Sequence, residues 1–134
     1  MWNQDIGCLP VVDDDGRVIG IVTDRDACMA AYTQGRPLAA MSVDSAMAHQ
    51  VFSCSATDRI EDVEAIMKER QVRRVPVVDS ENRLQGMISM NDIARESARE
   101  LRKRNPEVGA DELVTTLAFI CAPRQSGVLT AAAE

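Results

Sequence analysis

Apolar residues in this chain fall into short runs separated by turn residues, followed by a helical pattern. Residues 6–12 form an apolar run that predicts a buried strand, and the β-branched residues at 18–23 predict a second strand. An Asp-Asp-Asp-Gly turn at 13–16 lies between them, as in a hairpin. The Ala-rich residues 24–33 predict a helix that ends before Gly35. The first part of the chain is therefore expected to fold as strand, turn, strand and helix.

A longer series of elements follows a predicted linker at 37–50. Residues 50–55 alternate polar and apolar side chains, which predicts a short strand. Asp58 and Glu61 have the spacing of a capping box, in which two side chains satisfy free amides at the start of a helix. The helix that follows, at 60–70, has apolar residues at helical spacing on one face. We expect that face to pack against a core.

The end of the chain repeats the hairpin and then adds a further helix. Residues 75–78 and 84–89 predict two strands joined by a turn, and residues 91–104 predict a helix that ends before Pro106. Residues 111–121 form a last helical pattern, with apolar side chains at positions 113, 114, 117, 118 and 121. These five positions are expected to form the packed face of an amphipathic helix.

The chain contains the pattern of strand, turn, strand and helix twice. With a shift of 66 positions, residues 9–13 (Leu-Pro-Val-Val-Asp) fall on residues 75–79 (Val-Pro-Val-Val-Asp). In the same register Arg17, Gly20, Thr23 and Asp26 fall on Arg83, Gly86, Ser89 and Asp92. A repeat of this length, built from the same elements in the same order, predicts two packed copies of one supersecondary unit.

The two predicted copies are unequal. Under the same shift Met1 falls on Met67, so the first copy lacks the leading strand and helix that the second copy has. We expect this difference to leave an apolar surface of the first copy uncovered. The candidates for its cover are a partner chain and the predicted helix at 111–121.

Composition and charge narrow the classes of function. With 134 residues, 46% of them hydrophobic and 3% aromatic, the chain suits one compact domain or two small packed ones with an aliphatic core. The net charge of −6 argues against nucleic acid as a partner, since phosphate binding requires a basic surface. No apolar run reaches the roughly 18 residues of a membrane helix. The N-terminus has no secretory pattern, so we expect a cytoplasmic protein without membrane contact.

Neither catalysis nor metal binding is expected from the sequence. The four cysteines are far apart and form no Cys-x-x-Cys pair, and His49 has no cysteine or acid at ligand spacing. With a single histidine, no Ser-His-Asp or Cys-His group can be assembled. We therefore predict no catalytic residue and no metal site.

Candidate chemistry lies in the repeated pattern Gly-apolar-apolar-Ser/Thr-x-x-Asp, which ends at Asp26 in the first copy and at Asp92 in the second. Each copy lies where a strand leads into a helix. A hydroxyl and a carboxylate there can bind a small polar ligand, because carboxylates accept hydrogen bonds from a ribose diol and helix N-termini bind phosphate. The same residues, Thr23 and Ser89 with the two carboxylates, also fit capping boxes that only satisfy backbone amides. The pattern alone leaves both interpretations open.

The residues around the second motif resemble a known family. Residues 73–79 (Arg-Arg-Val-Pro-Val-Val-Asp) and 86–92 (Gly-Met-Ile-Ser-Met-Asn-Asp), behind the helix at 60–70, are similar to a cystathionine-β-synthase (CBS) domain. Residues 9–26 resemble the same family. The resemblance covers residues 1 to about 104 and implies a tandem CBS pair of the α/β class. In that fold two β-α-β-β-α units are related by a pseudo-twofold axis, and the pair usually forms a homodimer. Residues 1–42 would form the first unit, 43–104 the second, and 105–134 a C-terminal extension.

Members of this family bind adenosine-containing ligands in clefts between the paired units. The resemblance therefore implies AMP, ADP, ATP, NAD or S-adenosylmethionine as the ligand. It implies ribose contacts from Asp26 and Asp92, and ribose or phosphate contacts from Thr23 and Ser89. The other implied ligand-binding residues are Val51, Phe52 and Ser53 beside the base, Arg25, Arg73 and Arg74 near phosphates, and Asn91 within the second motif.

The Ser89/Asp92 cleft is expected to be the more complete of the two, since the first unit lacks its leading strand. The resulting prediction is a regulatory protein that is not an enzyme and that signals, by a change of conformation or assembly, to an unidentified downstream protein. The alternative is a structural dimerisation module with no functional ligand site. A more distant alternative is part of an enzyme whose catalytic domain lies outside this chain.

Overall fold

The computed structural model describes Met1, residues 6–100 and residues 109–123. Over these residues the chain has a mixed α/β architecture of five strands and four α-helices. In chain order the elements are β1 (Cys8–Val12), β2 (Val18–Thr23), α1 (Asp24–Gln34), β3 (Cys54–Ser55), α2 (Ile60–Arg70), β4 (Arg74–Val78), β5 (Leu84–Ser89), α3 (Met90–Glu100) and α4 (Ala110–Cys121). Short 3-10 turns at Leu38–Ala40 and Val43–Ser45 lie in the connection between α1 and β3.

The first unit consists of the antiparallel hairpin β1–β2 followed by α1. The Asp13 carboxylate closes the hairpin turn, because its Oδ1 accepts hydrogen bonds from the amides of Asp15 at 3.0 Å and Arg17 at 2.8 Å. Gly16 in this turn has a φ of 80°, a left-handed conformation that glycine adopts without strain. The hairpin predicted at 13–16 and the helix predicted at 24–33 are both confirmed.

The second unit adds a parallel strand and a covering helix to the same motif. Its sheet has the order β3-β4-β5, with β3 parallel and β5 antiparallel to β4. Helix α2 covers this sheet and ends at Gln71, which adopts a left-handed φ of 50°. Side chains from α2, α3 and all three strands enclose one core. Its buried members are Cys54, Val63, Met67, Val75, Met90 and Ile93.

The two units meet at their hairpin turns, around an approximate twofold axis. Arg17 and Arg83, which occupy equivalent positions of the repeat, form an isolated antiparallel bridge. The Val18 amide donates to the Asn82 carbonyl at 3.0 Å, and the Leu84 amide donates to the Gly16 carbonyl at 3.0 Å. These two hydrogen bonds are related by the same 66-residue shift, so the internal symmetry of the sequence is also a symmetry of the fold.

Several predicted boundaries differ from the structure. The strand predicted at 6–12 begins at Cys8, and that predicted at 50–55 is limited to Cys54–Ser55. The second prediction was too long at its start: residues 50–53 pair with no strand, and before Cys54 the chain makes only an isolated bridge from Ala48 to Ile21 of β2. The helix predicted at 91–104 begins at Met90; its predicted part beyond residue 100 lies outside the described residues. The division at residues 42 and 104 stays a prediction.

The predicted cap of α2 by Asp58 and Glu61 was also wrong. The helix starts at Ile60, and Arg59 occupies the N-cap position without a side-chain hydrogen bond. The Asp58 carboxylate instead accepts a hydrogen bond from the Ser55 amide at 2.8 Å. An Asp side chain offers the backbone a local turn as well as a cap, and here the turn after β3 is the preferred one.

The predicted C-terminal helix is present, but its packing differs from the expectation. Helix α4 packs against α2 and α3 of the second unit, so it does not supply cover for the first. Its buried side is Thr116, with Leu113 and Ile120 partly buried against the core, whereas Val114 and Leu117 of the predicted apolar stripe are exposed. Polar contacts with α2 accompany this packing, including an ion pair between Lys68 Nζ and Glu112 Oε1 at 3.3 Å.

Candidate functional site

Both copies of the hydroxyl–carboxylate motif form capping boxes at the starts of their helices. Asp26 Oδ2 accepts hydrogen bonds from the Thr23 amide at 2.9 Å and hydroxyl at 2.7 Å, and the Asp26 amide donates to Thr23 Oγ1 at 3.1 Å. The corresponding distances between Ser89 and Asp92 are 2.9, 2.5 and 3.3 Å. The capping interpretation of the motif is therefore correct for both copies. It does not exclude ligand binding, since all four side chains are only partly buried.

The two carboxylates differ in their remaining contacts. Asp92 Oδ1 accepts an additional hydrogen bond from Arg95 Nη2, one turn further along α3. The Ser89 hydroxyl, and secondly Arg95, hold the pKa of Asp92 below its usual value. At Asp26 no donor within the described residues reaches Oδ1. The equivalent of Arg95 in the first unit is Met29.

The residues predicted to flank the base lie at the end of the second sheet that carries the motif. Cys54 pairs in parallel with Val77, so the preceding residues 51–53 lie towards the start of β4. At this end Arg74 is paired with Ser89. Val51, Phe52 and Ser53 are all partly buried. The structure therefore places this segment on the motif-bearing side of the second unit.

The same segment is also attached to the first unit. The Ala48 amide donates to the Ile21 carbonyl at 2.8 Å, and the Ile21 amide donates to the Ala48 carbonyl at 3.0 Å. Met47 is buried against Gly20 of β2, so that a Cβ on Gly20 would lie 2.9 Å from Met47 Cγ and still closer to its sulfur. Ile21 lies two residues before Thr23. Residues 49–53 thus connect Ala48, which is paired with the first unit, to Cys54, which is paired with the second. That the Ser89/Asp92 cleft is the more complete of the two stays a prediction.

The three arginines that were predicted to lie near phosphates differ in exposure. Arg74 is partly buried and Arg73 exposed; the Arg73 carbonyl accepts a hydrogen bond from the Met90 amide at 3.0 Å. Arg25 and Asn91 are exposed at the first turns of α1 and α3. All three arginines are thus accessible to an anion, and guanidinium groups suit phosphate.

Cys8 at the start of β1 and Arg74 at the start of β4 occupy equivalent positions of the repeat. Burial raises the pKa of the Cys8 thiol, while the positive charge of Arg74 acts in the opposite direction and Asp26 and Asp24 act with burial. The Cys8 thiol is therefore uncharged at neutral pH.

Sequence analysis missed two residues of this region. Arg70 lies over the ring of Phe52, with its guanidinium carbon 4.5 Å from the ring centroid. Arg95 engages the Asp92 carboxylate. The spacing of Asp92 and Arg95 on a predicted helix could have revealed the second contact, since residues three apart face each other. No sequence pattern connects Arg70 with Phe52.

Other candidate chemistry is sparse over residues 6–100 and 109–123. His49 is exposed, and its Nε2 lies 4.0 Å from an Asp44 carboxylate oxygen. No three side chains among His, Cys, Asp and Glu come together there in a way that would hold a metal ion. The helices within these residues are too short or too polar to cross a membrane.

Comparison with known proteins assigns the fold. The family model for the CBS domain matches residues 2–32 and 43–99, which is most of the chain and both copies of the repeat. The chain belongs to the CBS domain family. It is a CBS pair, as the internal symmetry around Arg17 and Arg83 requires.

The CBS pair has relatives of known sequence and structure. Hypoxic response protein 1 of Mycobacterium tuberculosis is 37% identical over 95 residues, which is 71% of this chain and 66% of that protein. The chain thus spans slightly less than two thirds of that relative. A crystal structure of Hypoxic Response Protein I with two coordinated zinc ions is 38% identical, with a TM-score of 0.61 over 71% of this chain and 76% of that one.

A second solved structure was determined with ligands. The CBS domain pair of protein MJ0100, in complex with 5-methylthioadenosine and S-adenosyl-L-methionine, is 25% identical to this CBS pair. Its TM-score is 0.63, and the superposition covers 74% of this chain and 76% of that chain. Both ligands of that protein contain adenosine.

Proposed function

We propose that this CBS pair is a regulatory module that binds an adenosine-containing ligand between its two units. The observation that carries the proposal is the duplicated hydroxyl–carboxylate motif, with a carboxylate half-buried at each strand-to-helix junction. Support comes from the solved CBS pair of MJ0100, which holds two adenosyl ligands.

The proposed contacts follow the chemistry of each residue. Asp26 and Asp92 accept hydrogen bonds from ribose hydroxyls, and Thr23 and Ser89 contact ribose or phosphate. Each carboxylate has acceptor capacity beyond its cap, because an ionised carboxylate offers about four lone-pair directions. The residues proposed to complete the site are Val51, Phe52 and Ser53 beside the base, and Arg25, Arg73, Arg74 and Asn91 towards the phosphates.

The proposed mechanism is linkage between ligand binding and the arrangement of the two units. A ligand that contacts both units binds one arrangement more tightly than another and shifts their populations accordingly. The hairpin contacts between residues 16–18 and 82–84 join the two units directly, so a change in the arrangement of the units would act on these contacts. The output passes through a homodimer or a separate downstream protein, and no catalytic step is proposed.

Calorimetric titration with AMP, ADP, ATP, NAD and S-adenosylmethionine tests this proposal. We expect at least one to bind in the micromolar range, and Asp26→Ala and Asp92→Ala each to weaken binding by at least about tenfold, the effect of losing a charge-assisted hydrogen bond worth about 1.5–3 kcal/mol. Asp62→Ala removes an exposed carboxylate from the first turn of α2 and serves as the matched control. Undiminished binding by both motif variants would contradict the proposal.

The second candidate is a dimerisation module without a ligand. It is favoured by the exposed apolar side chains of the first unit, among them Leu9, Ile19, Met29 and Tyr32. Under this alternative Thr23, Asp26, Ser89 and Asp92 act only as caps. A concentration-dependent dimer measured by light scattering, with no response to any of the five ligands, would favour the second candidate over the first.

A further inference from the structure

The two motif carboxylates differ in the residue that follows them by one helical turn. Arg95 stands three positions after Asp92, and Met29 stands three positions after Asp26. Arg95 donates a hydrogen bond to Asp92 Oδ1, whereas Met29 is 50% exposed and has no donor to offer. The two copies of the repeat thus differ at one carboxylate oxygen: Oδ1 accepts a hydrogen bond from an arginine in Asp92, and no described donor reaches Oδ1 in Asp26.

The acceptor capacity of the two carboxylates is unequal as a result. Of about four lone-pair directions on an ionised carboxylate, Asp92 uses two for the Ser89 amide and hydroxyl and one for Arg95. Asp26 uses two, for the Thr23 amide and hydroxyl. A ribose diol donates two hydrogen bonds. Asp26 can accept both while its cap stays intact, but Asp92 must first release Arg95.

We propose that Arg95 is a built-in competitor for the second cleft, which makes the Thr23/Asp26 cleft the tighter site for a ribose diol. This inference rests on the proposed function and sets the order in which the two clefts fill. The arginine side chain is 71% exposed and that of Asp92 is 44% exposed, so the ion pair is weak enough for a ligand to displace it. The chain would therefore respond to its ligand over two concentration ranges.

Reciprocal substitutions at the equivalent positions test the inference. Arg95→Met gives the second motif the neighbour of the first, and Met29→Arg does the reverse; both positions are exposed, so neither should disturb the fold. Adenosine is the probe, because it carries the diol and base without a phosphate that Arg95 could bind. NMR titration of the amides around Thr23–Asp26 and Ser89–Asp92 gives a separate Kd for each cleft.

In the wild type we expect adenosine to bind the Thr23/Asp26 cleft more tightly. Arg95→Met should tighten the Ser89/Asp92 cleft, and Met29→Arg should weaken the Thr23/Asp26 cleft, each by about two- to fivefold, the range for an exposed ion pair. With 2′-deoxyadenosine, which lacks the diol, the effect of Arg95→Met should disappear.

The failures of the inference and of the proposed function are distinguishable. Adenosine binding that Arg95→Met leaves unchanged or weakens would overturn the inference alone. Adenosine that shifts neither set of amides would overturn the proposed diol contacts, and the inference with them. A titration of the Asp92 carboxyl provides a readout without ligand: its pKa should rise in Arg95→Met, and an unchanged pKa would show that the competing contact does not form.

Discussion

The two units of this CBS pair share one motif but differ in how deeply their equivalent residues are buried. Leu9 of β1 and Val75 of β4 occupy the same position of the repeat, yet Leu9 is 38% exposed and Val75 is fully buried. The difference arises because α2 lies over Val75, while no described helix lies at the equivalent place over Leu9. A repeated sequence thus produces repeated hairpins and caps, whereas a core depends on the element that covers it.

Truncation of a methionine side chain should give the largest difference in stability loss between the two units. Met67 is fully buried on α2, and Met29 on α1 is half exposed. Met67→Ala should lower the free energy of unfolding by about 2–5 kcal/mol, the cost of removing a buried Met side chain and leaving a cavity. Met29→Ala should change it by less than about 0.5 kcal/mol. Denaturant unfolding measures both; equal losses would show that the first unit has a comparable core.

Equivalent glycines provide the next comparison. A Cβ on Gly20 would collide with Met47, while a Cβ on Gly86 would meet nothing within 4 Å. Gly20→Ala should therefore cost about 1–3 kcal/mol of stability through overpacking, reduced as far as the Met47 side chain can move. Gly86→Ala should be within about 0.5 kcal/mol of the wild type. If both substitutions were neutral, the segment at 47–48 would not be fixed on the first unit.

Substitution of a buried carboxylate in the second unit should change the free energy of unfolding by a smaller amount that depends on pH. Glu64 on α2 is 2% exposed, and its Oε1 lies 3.5 Å from Thr116 Oγ1 of α4. The Thr116 hydroxyl has one hydrogen to donate, and the Glu112 carbonyl at 2.9 Å competes for it with Glu64 Oε1, so the Glu64 carboxylate receives at most a long, shared hydrogen bond. Burial, followed by repulsion from Glu112, raises the pKa of Glu64; Lys68 opposes this effect.

The sign of the pH effect follows from this raised pKa. The folded protein keeps the Glu64 proton at pH values where the unfolded chain has lost it. The stabilisation is therefore complete below the unfolded pKa and is lost as the pH rises through the folded value. Glu64→Gln mimics the protonated form and should be more stable than the wild type at pH 8, since a raised pKa reflects a free-energy difference between the two protonation states.

Thermal or denaturant unfolding between pH 4 and 8 measures this difference. The extra stability of Glu64→Gln over the wild type should decrease as the pH falls. Glu69→Gln, which changes an exposed carboxylate on the same helix, is the matched control and should show no such dependence. A Glu64→Gln protein that is less stable than the wild type at all pH values would mean that the charged form is the one accommodated.

Local patterns predicted the elements of the fold well and their boundaries less well. The 66-residue repeat predicted the hairpins, and β2 and β5 have the predicted bounds. The strand predicted at 50–55 is limited to residues 54–55. Shortly before it Ala48 pairs with β2, a long-range contact that the alternation of polar and apolar residues does not encode. The prediction of the packed face of α4 was wrong, because Thr116 faces Glu64 while Val114, a member of the predicted apolar face, is exposed. Hydrophobicity alone could not anticipate a polar helix interface.

The candidate site was predictable only in part, for a similar reason. The motif identified Thr23, Asp26, Ser89 and Asp92, since their spacing at a strand-to-helix junction determines their local geometry. The positions of residues 51–53 relative to the two units depend on the crossing of the chain at Ala48, which no local pattern contains. Which of the two clefts binds more tightly therefore had to be inferred from contacts in the folded chain.

A crystal structure grown in the presence of the adenosyl ligand that binds best would test the proposed function most directly. In that structure the ribose hydroxyls should lie within about 3 Å of the Asp26 or Asp92 carboxylate, with the base against residues 51–53. Arg95 should also have left Asp92 wherever that cleft is filled. A ligand bound elsewhere, with both carboxylates engaged only in their caps, would contradict the proposed function.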